Sequence, residues 1–212
     1  MKQLKMYRQP ELAPGEMNLP ERYSFSRFQG EEDKLAWVAC CKNGLIADDA
    51  DVAVYDKVMG GNPHIHHKED VLFLDYMGAH VGTVTAYVNE KGIGYLHMIG
   101  LLPEHRGRGL GKFLVRAGLW HLRDLKPQNI MLTTDDWRKS AVRSYLNEGF
   151  LPVDCDEDMT ARWEQLLYEL GMDSVQMLTN DAAPCRVIFP RIKSEQGSGE
   201  NRVRNVIKYE KE

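Results

Sequence analysis

Three glycines at alternate positions, Gly107, Gly109 and Gly111, follow an extended apolar stretch that ends at Pro103. Behind them, Leu110 to Leu125 carries Leu114, Ala117, Gly118 and the pair His121-Leu122 at helical spacing. The chain therefore reads strand, Gly-rich loop, helix, and no other segment constrains the fold as strongly. The strand needs a sheet, and the helix needs a sheet face to cover. The same order builds an anion site. Backbone N–H groups of the loop and of the first helical turn converge on one spot, where the helix dipole adds partial positive charge. Glycine lets a phosphate come close to that backbone, and Arg106, Arg108 and Lys112 add cationic side chains around it.

The common nucleotide patterns are not met. Lys112 stands where a dinucleotide fingerprint needs its third glycine; a P-loop would need glycine at Arg106 and Ser or Thr at Phe113. What the segment does match is Arg106, then Gly109, then Gly111, after a strand ending in proline.

Around this unit the periodicity gives a sheet with helices on it. Residues 3–9 and 23–28 read as short strands, joined by a Pro/Gly-punctuated loop from Pro10 to Pro20. Glu31 to Lys42 reads as a helix with acids in its first turn, Leu35, Val38 and Ala39 on one face, and Asn43-Gly44 as its C-cap. A second helix is expected from Asp49 to Met59. Strands follow at Val71–Tyr76, Val81–Val88 and Ile93–Leu102, as an antiparallel meander. After the long helix come a strand at Ile130–Thr134, a helix at Ser140–Asn147 closed by Gly149, a strand at Phe150–Val153 and a helix at Asp158–Leu170. A strand-helix-strand crossover demands a parallel pair, so the sheet is mixed but mostly antiparallel. Residues 1–180 read as one α/β domain, and residues 181–212 as a tail with one loosely attached strand near Val187–Phe189.

The run Leu101-Leu102-Pro103-Glu104-His105-Arg106-Gly107-Arg108-Gly109-Leu110-Gly111 resembles the signature of the GNAT acetyltransferase superfamily. Downstream, Ala141, Tyr145 and Gly149-Phe150 are similar to the family's second signature. The resemblance covers about residues 93–153. It implies that acetyl-CoA is the acyl donor and that its pyrophosphate lies on the amides of the loop from Arg106 to Lys112. It also implies that Tyr145 lies near the sulfur and protonates the departing thiolate. Relatives often carry Asn where Arg138 stands, so an Asn-mediated contact to the cofactor arm is not expected here.

The implied reaction is direct attack of a primary amine, on a small molecule or a peptide, at the thioester carbon. Backbone amides from Ile99 to Leu101 polarise the carbonyl if the strand bulges there, for which Gly100 is suited. The amine must lose a proton. His97 on the same strand is the first candidate base, Glu90 the reserve, and Asp135 or Asp136 a further choice. Trp37, Tyr55 and the acids from Asp48 to Asp51 are candidate acceptor-pocket residues. A non-catalytic acyl-CoA-binding module of the same fold is the alternative.

Composition excludes other classes. A net charge of -4 argues against nucleic acid as a partner, and no apolar run approaches a membrane span. Four cysteines without CxxC spacing read as reduced thiols of a cytoplasmic protein, with Cys40 and Cys41 as core. His121 to Asn129 nearly matches a kinase catalytic loop, but Leu122 interrupts it and no Asp-Phe-Gly follows. His64, His66 and His67 lack an evident carboxylate or thiol partner, so no metal is expected.

Overall fold

The computed structural model describes residues 2–42 and 44–191. Its central sheet has seven strands in the order β2-β3-β4-β5-β6-β1-β7. They are β1 (Leu4–Arg8), β2 (Tyr23–Arg27), β3 (Val71–Tyr76), β4 (Ala79–Val88), β5 (Ile93–Leu101), β6 (Asn129–Thr134) and β7 (Leu151–Pro152). All neighbours are antiparallel except β5 and β6. The mixed, mostly antiparallel sheet flanked by helices is the architecture the sequence predicts. The N-terminal strand β1 is paired with β6 on one side and β7 on the other, a long-range placement that no local pattern reveals.

Helix α1 (Glu31–Cys41) covers one face of the sheet. Asp33 caps it by accepting from the amides of Gln29 and Gly30. Its buried residues are Trp37, Val38, Cys40 and Cys41, whereas Leu35 is 63% exposed and Ala39 faces solvent. The expected inner face of Leu35, Val38 and Ala39 is thus rotated, because Trp37 with Cys40 and Cys41 makes the larger i, i+3, i+4 stripe. The next helix starts later than expected: α2 runs from Ala53 to Tyr55 and continues as a π turn over Asp56–Gly60. Asp51 sets that start by accepting from the Ala53 amide. Asn43 lies outside the described residues, and Gly44 has φ 125.

Helix α3 (His67–Asp70) leads into β3, and α4 (Gly111–Leu125) packs on the other face, against β4 and β5. Gly118 brings that helix close: a Cβ there would stand 2.5 Å from Leu96 Cδ2. Lys126 in the left-handed region and Pro127 then end the helix. Helix α5 (Lys139–Asn147) ends at Gly149, φ 86, in the cap the sequence suggests. Helix α6 (Met159–Leu170) buries Trp163, Leu166, Leu167 and Leu170.

A hairpin of β8 (Val175–Leu178) and β9 (Pro184–Ile188) completes the described chain. Its turn spans the boundary expected at 180/181. The strand expected near Val187–Phe189 is paired, and Ile188 is 3% exposed in the main core, so it is anchored rather than loosely attached. The rest of the expected tail, residues 192–212, lies outside the described residues.

Candidate active site

The parallel pair β5/β6 is bonded only at its start, from Ile93↔Asn129 to Tyr95↔Met131. Beyond Tyr95, β5 stays with β4 while β6 stays with β1, out to Leu4↔Thr134. The two strands therefore diverge and open a cleft in the middle of the sheet. A cavity of about 410 Å³ occupies it and reaches both sheet faces. Leu110, Leu114, Val115 and Ala141 line it from α4 and α5, and Cys40, Lys42 and Leu45 from α1 and the segment after it.

A bulge shapes the β5 wall. Thr83 pairs with Gly100 and Thr85 with His97, so β5 spends three steps where β4 spends two. Met98 takes the extra step with φ 52, a region that non-glycine residues rarely enter. Side-chain alternation reverses across it. Leu96 faces α4, where Gly118 meets it, whereas Gly100 faces α1 and abuts the Cys40 carbonyl. The bulge expected near Gly100 is present, and Ile99, Gly100 and Leu101 line the cavity.

The Gly-rich loop lies at one end. Gly107 and Gly109 have φ 73 and 71, and a Cβ on either would meet nothing within 4 Å. Among the described residues, the amides of Gly107, Arg108, Gly109 and Leu110 donate to no backbone carbonyl. The loop thus offers unpaired N–H groups at the start of α4, which fits a pyrophosphate. Arg106, Gly107, Gly109, Leu110 and Gly111 line the cavity; Arg108 and Lys112 do not. Arg106 is steadied by its Nε–H donating to the Leu101 carbonyl at 2.9 Å.

Tyr145 reaches the same cavity from α5 and packs edge-on to Phe150, ring centroids 6.2 Å apart. Burial pushes its phenol up to about 12, with Arg138 pulling the other way. It therefore stays protonated through neutral pH, as a proton donor must. The Gly-rich loop, the bulge and Tyr145 thus line one cavity.

His97 is not brought in. It precedes the bulge opposite Thr85, meets the Tyr87 ring edge-on at 6.4 Å and is absent from the cavity lining. Burial lowers its pKa. The other base candidates are committed elsewhere: Glu90 to His64 at 2.7 Å, Asp135 to Arg138 at 3.2 Å, and Asp136 to Arg162 at 2.6 Å. Trp37 and Tyr55 do not line the acceptor pocket; both are 0% exposed, in T-shaped contact at 5.1 Å within a second core cluster. The acids Asp48, Asp49 and Asp51 are likewise absent from the lining. His66 and His67 serve structure, bonding Asp70 through the His66 amide and the Tyr55 hydroxyl through His67 Nδ1. His121, from the kinase-like run, pairs with Asp70 at 2.8 Å.

Several lining residues had no sequence signal. Lys42, Leu45, Trp137, Ser140 and Ser144 join the cavity through tertiary packing. Cys40, expected as core, is buried but also lines it; burial first, then Asp75, raises its thiol to about 12. Trp137 and Arg138 bridge the mouth: the indole covers Gly44, and Arg138 Nη2 donates to the Gly44 carbonyl. Among the described residues no group of three His, Cys, Asp or Glu side chains is placed to hold a metal, and no helix is long and apolar enough to cross a membrane.

A mostly antiparallel sheet whose one parallel pair splays above a glycine cradle is the framework expected of an acyl-CoA-dependent acyltransferase. Residues 37–150 match the family model described as the acetyltransferase (GNAT) family, and the chain belongs to that family. It is 41% identical over 162 residues to a mycothiol acetyltransferase of Nocardiopsis dassonvillei, covering 70% of this chain and 47% of the relative. The same protein from Kytococcus sedentarius is 29% identical over 149 residues, covering 66% and 48%. The chain thus spans about half the length of these curated relatives. In fold it is similar to a GCN5-related N-acetyltransferase from Sphaerobacter thermophilus, TM-score 0.52 at 18% identity, over 71% of this chain and 48% of that one. An acetyltransferase from Streptococcus agalactiae also has TM-score 0.52, at 19% identity, over 65% and 88%.

Proposed function

We propose that the protein transfers an acetyl group from acetyl-CoA to a primary amine by direct attack within a ternary complex. One observation carries the reading: the phosphate cradle, the β5 bulge and Tyr145 line a single cavity in the splayed sheet. In this reading the amides of the loop from Gly107 to Leu110 hold the pyrophosphate, with Arg106 adding charge, and the thioester reaches the cleft beside Ile99 to Leu101. An amide at the bulge donates to the thioester oxygen as negative charge develops there. The amine nitrogen bonds to the carbonyl carbon, the C–S bond breaks with its electron pair going to sulfur, Tyr145 hydrogen-bonds the thiolate and supplies its proton, and the proton shed by the nitrogen passes through solvent and restores the phenol.

Direct attack is preferred to an acyl-cysteine route. Cys40 is the cysteine in the lining, and a thiol held near 12 offers almost no thiolate at neutral pH. The curated relatives are named mycothiol acetyltransferase, but this chain covers about half their length, and no acceptor is taken from that name. Free cysteines, two of them buried, suit a reducing compartment, and we place the activity in the cytoplasm.

A second reading, an acyl-CoA-binding module without turnover, is favoured by one feature: among the described residues no carboxylate or histidine lines the cavity. Calorimetry with acetyl-CoA and release of CoA thiol with a panel of amines separate the readings. Acetyl transfer predicts binding, turnover, and roughly hundredfold slower turnover in Tyr145→Phe with acetyl-CoA affinity retained. Binding without turnover by any amine selects the second reading; no binding removes both.

A further inference from the structure

The charged residues lining the cavity are Lys42, Arg106 and Arg138, all cationic. Arg106 belongs to the phosphate end. Lys42 caps the end of α1, and Arg138 reaches the segment just after it. Lys42 follows Cys40, whose carbonyl abuts Gly100, and Arg138 is joined to the Gly44 carbonyl across the mouth.

The charge there is only partly neutralised. Arg138 has one acidic neighbour, Asp135 at 3.2 Å from its Nε, and Asp135 also accepts from Gln3. Lys42 makes no ion pair among the described residues. Arg138 is 17% exposed, so its charge is only partly screened by water. A simple cationic amine entering here meets a net positive charge, and among the described residues no carboxylate lines the cavity.

We propose that the acceptor is an amine that also bears an anionic group, carboxylate or phosphate, and that Lys42 and Arg138 hold that group. The inference rests on the acetyl-transfer reading of this cavity. An anion bound by both side chains offsets the desolvation of two cations and adds charge-assisted hydrogen bonds that fix the amine toward the thioester.

The test uses matched pairs, β-alanine against β-alaninamide and phosphoethanolamine against ethanolamine, with the full-length protein saturated with acetyl-CoA. At least one anionic member should exceed its neutral partner by about tenfold or more in kcat/KM, and the pair that discriminates identifies carboxylate or phosphate. Lys42→Gln should erase most of that preference while acetyl-CoA affinity by calorimetry and the thermal midpoint stay unchanged. Arg138→Gln should act in the same direction, and Lys42→Gln keeps the test sound if the Gly44 contact proves needed for folding. Each pair is also titrated into CoA-saturated protein. Tighter binding of the anionic member without turnover supports the anion site and overturns acetyl transfer alone. Equal binding and turnover within both pairs, or a preference untouched by Lys42→Gln, overturns the anion site.

Discussion

The carbonyl of Cys40 meets the Cα of Gly100 so closely that a methyl group on Gly100 would stand 2.9 Å from the Cys40 carbonyl carbon and nearer still to its oxygen. The end of α1 is thereby seated directly on the β5 bulge. In the proposed reaction the bulge supplies the oxyanion donor, and α1 leads to Lys42 and Leu45, which line the same cavity. Gly100→Ala must push one away from the other. The expected cost is about 1–3 kcal/mol of stability, from overpacking. Turnover should fall further than folding does, because the donor amide moves with the strand. Urea midpoints and kcat measured on the same sample check this; a variant with wild-type kcat would remove the bulge from the mechanism.

The cradle glycines are a different case. Gly107 and Gly109 have room for a Cβ but hold φ 73 and 71. A substitution there strains the backbone. Gly109→Ala should therefore weaken acetyl-CoA binding by about tenfold through lost amide alignment. Arg108→Ala, outside the cavity lining, should weaken it less and chiefly at low salt. Calorimetric titrations at two ionic strengths distinguish the two effects.

Much of this site was legible because its parts are local. The loop from Arg106 to Lys112 and its helix are contiguous, and Tyr145 with Gly149-Phe150 follows at short range. The bulge was foreseeable from Gly100, but its consequence was not: only the reversal of facing between Leu96 and Gly100 shows that His97 lies before the turn of the strand rather than on the cleft. Trp37 and Tyr55 were misplaced because a sequence cannot say whether an aromatic residue fills a pocket wall or a core. Strand β8 carries no alternation strong enough to announce it and exists through pairing with β9. Arg138 was visible as a departure from the family pattern; its reach to Gly44 was not.

Behind the site, Glu148 holds the N-terminal segment to α4. Arg116 pairs with its carboxylate at 2.7 Å, and Arg8, 3% exposed, donates to its backbone carbonyl at 2.7 Å. Glu148 is itself 8% exposed, and burial lowers the Arg8 pKa while Glu148 raises it. Glu148→Ala strips Arg116 of its carboxylate partner and Arg8 of a nearby compensating charge, while Arg8 keeps its bond to the backbone carbonyl. A loss of about 3 kcal/mol is expected. Arg116→Met in the same background should restore part of it, by removing one uncompensated charge. Denaturant titrations of the single and double variants give the coupling.

His97 separates stability from catalysis. Burial depresses its pKa in the folded protein below the ordinary value of 6.5, so the unfolded chain binds its proton more readily. Its neutral form contributes stability in full above about pH 6.5, and that contribution is lost as the pH falls toward the folded value. His105, lowered by burial and then by Arg108, adds a smaller slope of the same sign because it is more exposed. The depressed carboxylates Asp33, Asp156 and Glu169 act at lower pH, leaving the window between about 5 and 6.5 to the histidines. Urea midpoints should therefore decline from pH 7.5 to 5.5 in the wild type, and His97→Gln should flatten most of that decline. Acetyl transfer provides the second readout. If His97 only packs beneath α1, the pH profile of kcat/KM keeps its shape in His97→Gln. If it takes the amine's proton through a water, the variant loses the acidic limb of that profile and about a hundredfold in rate at its optimum.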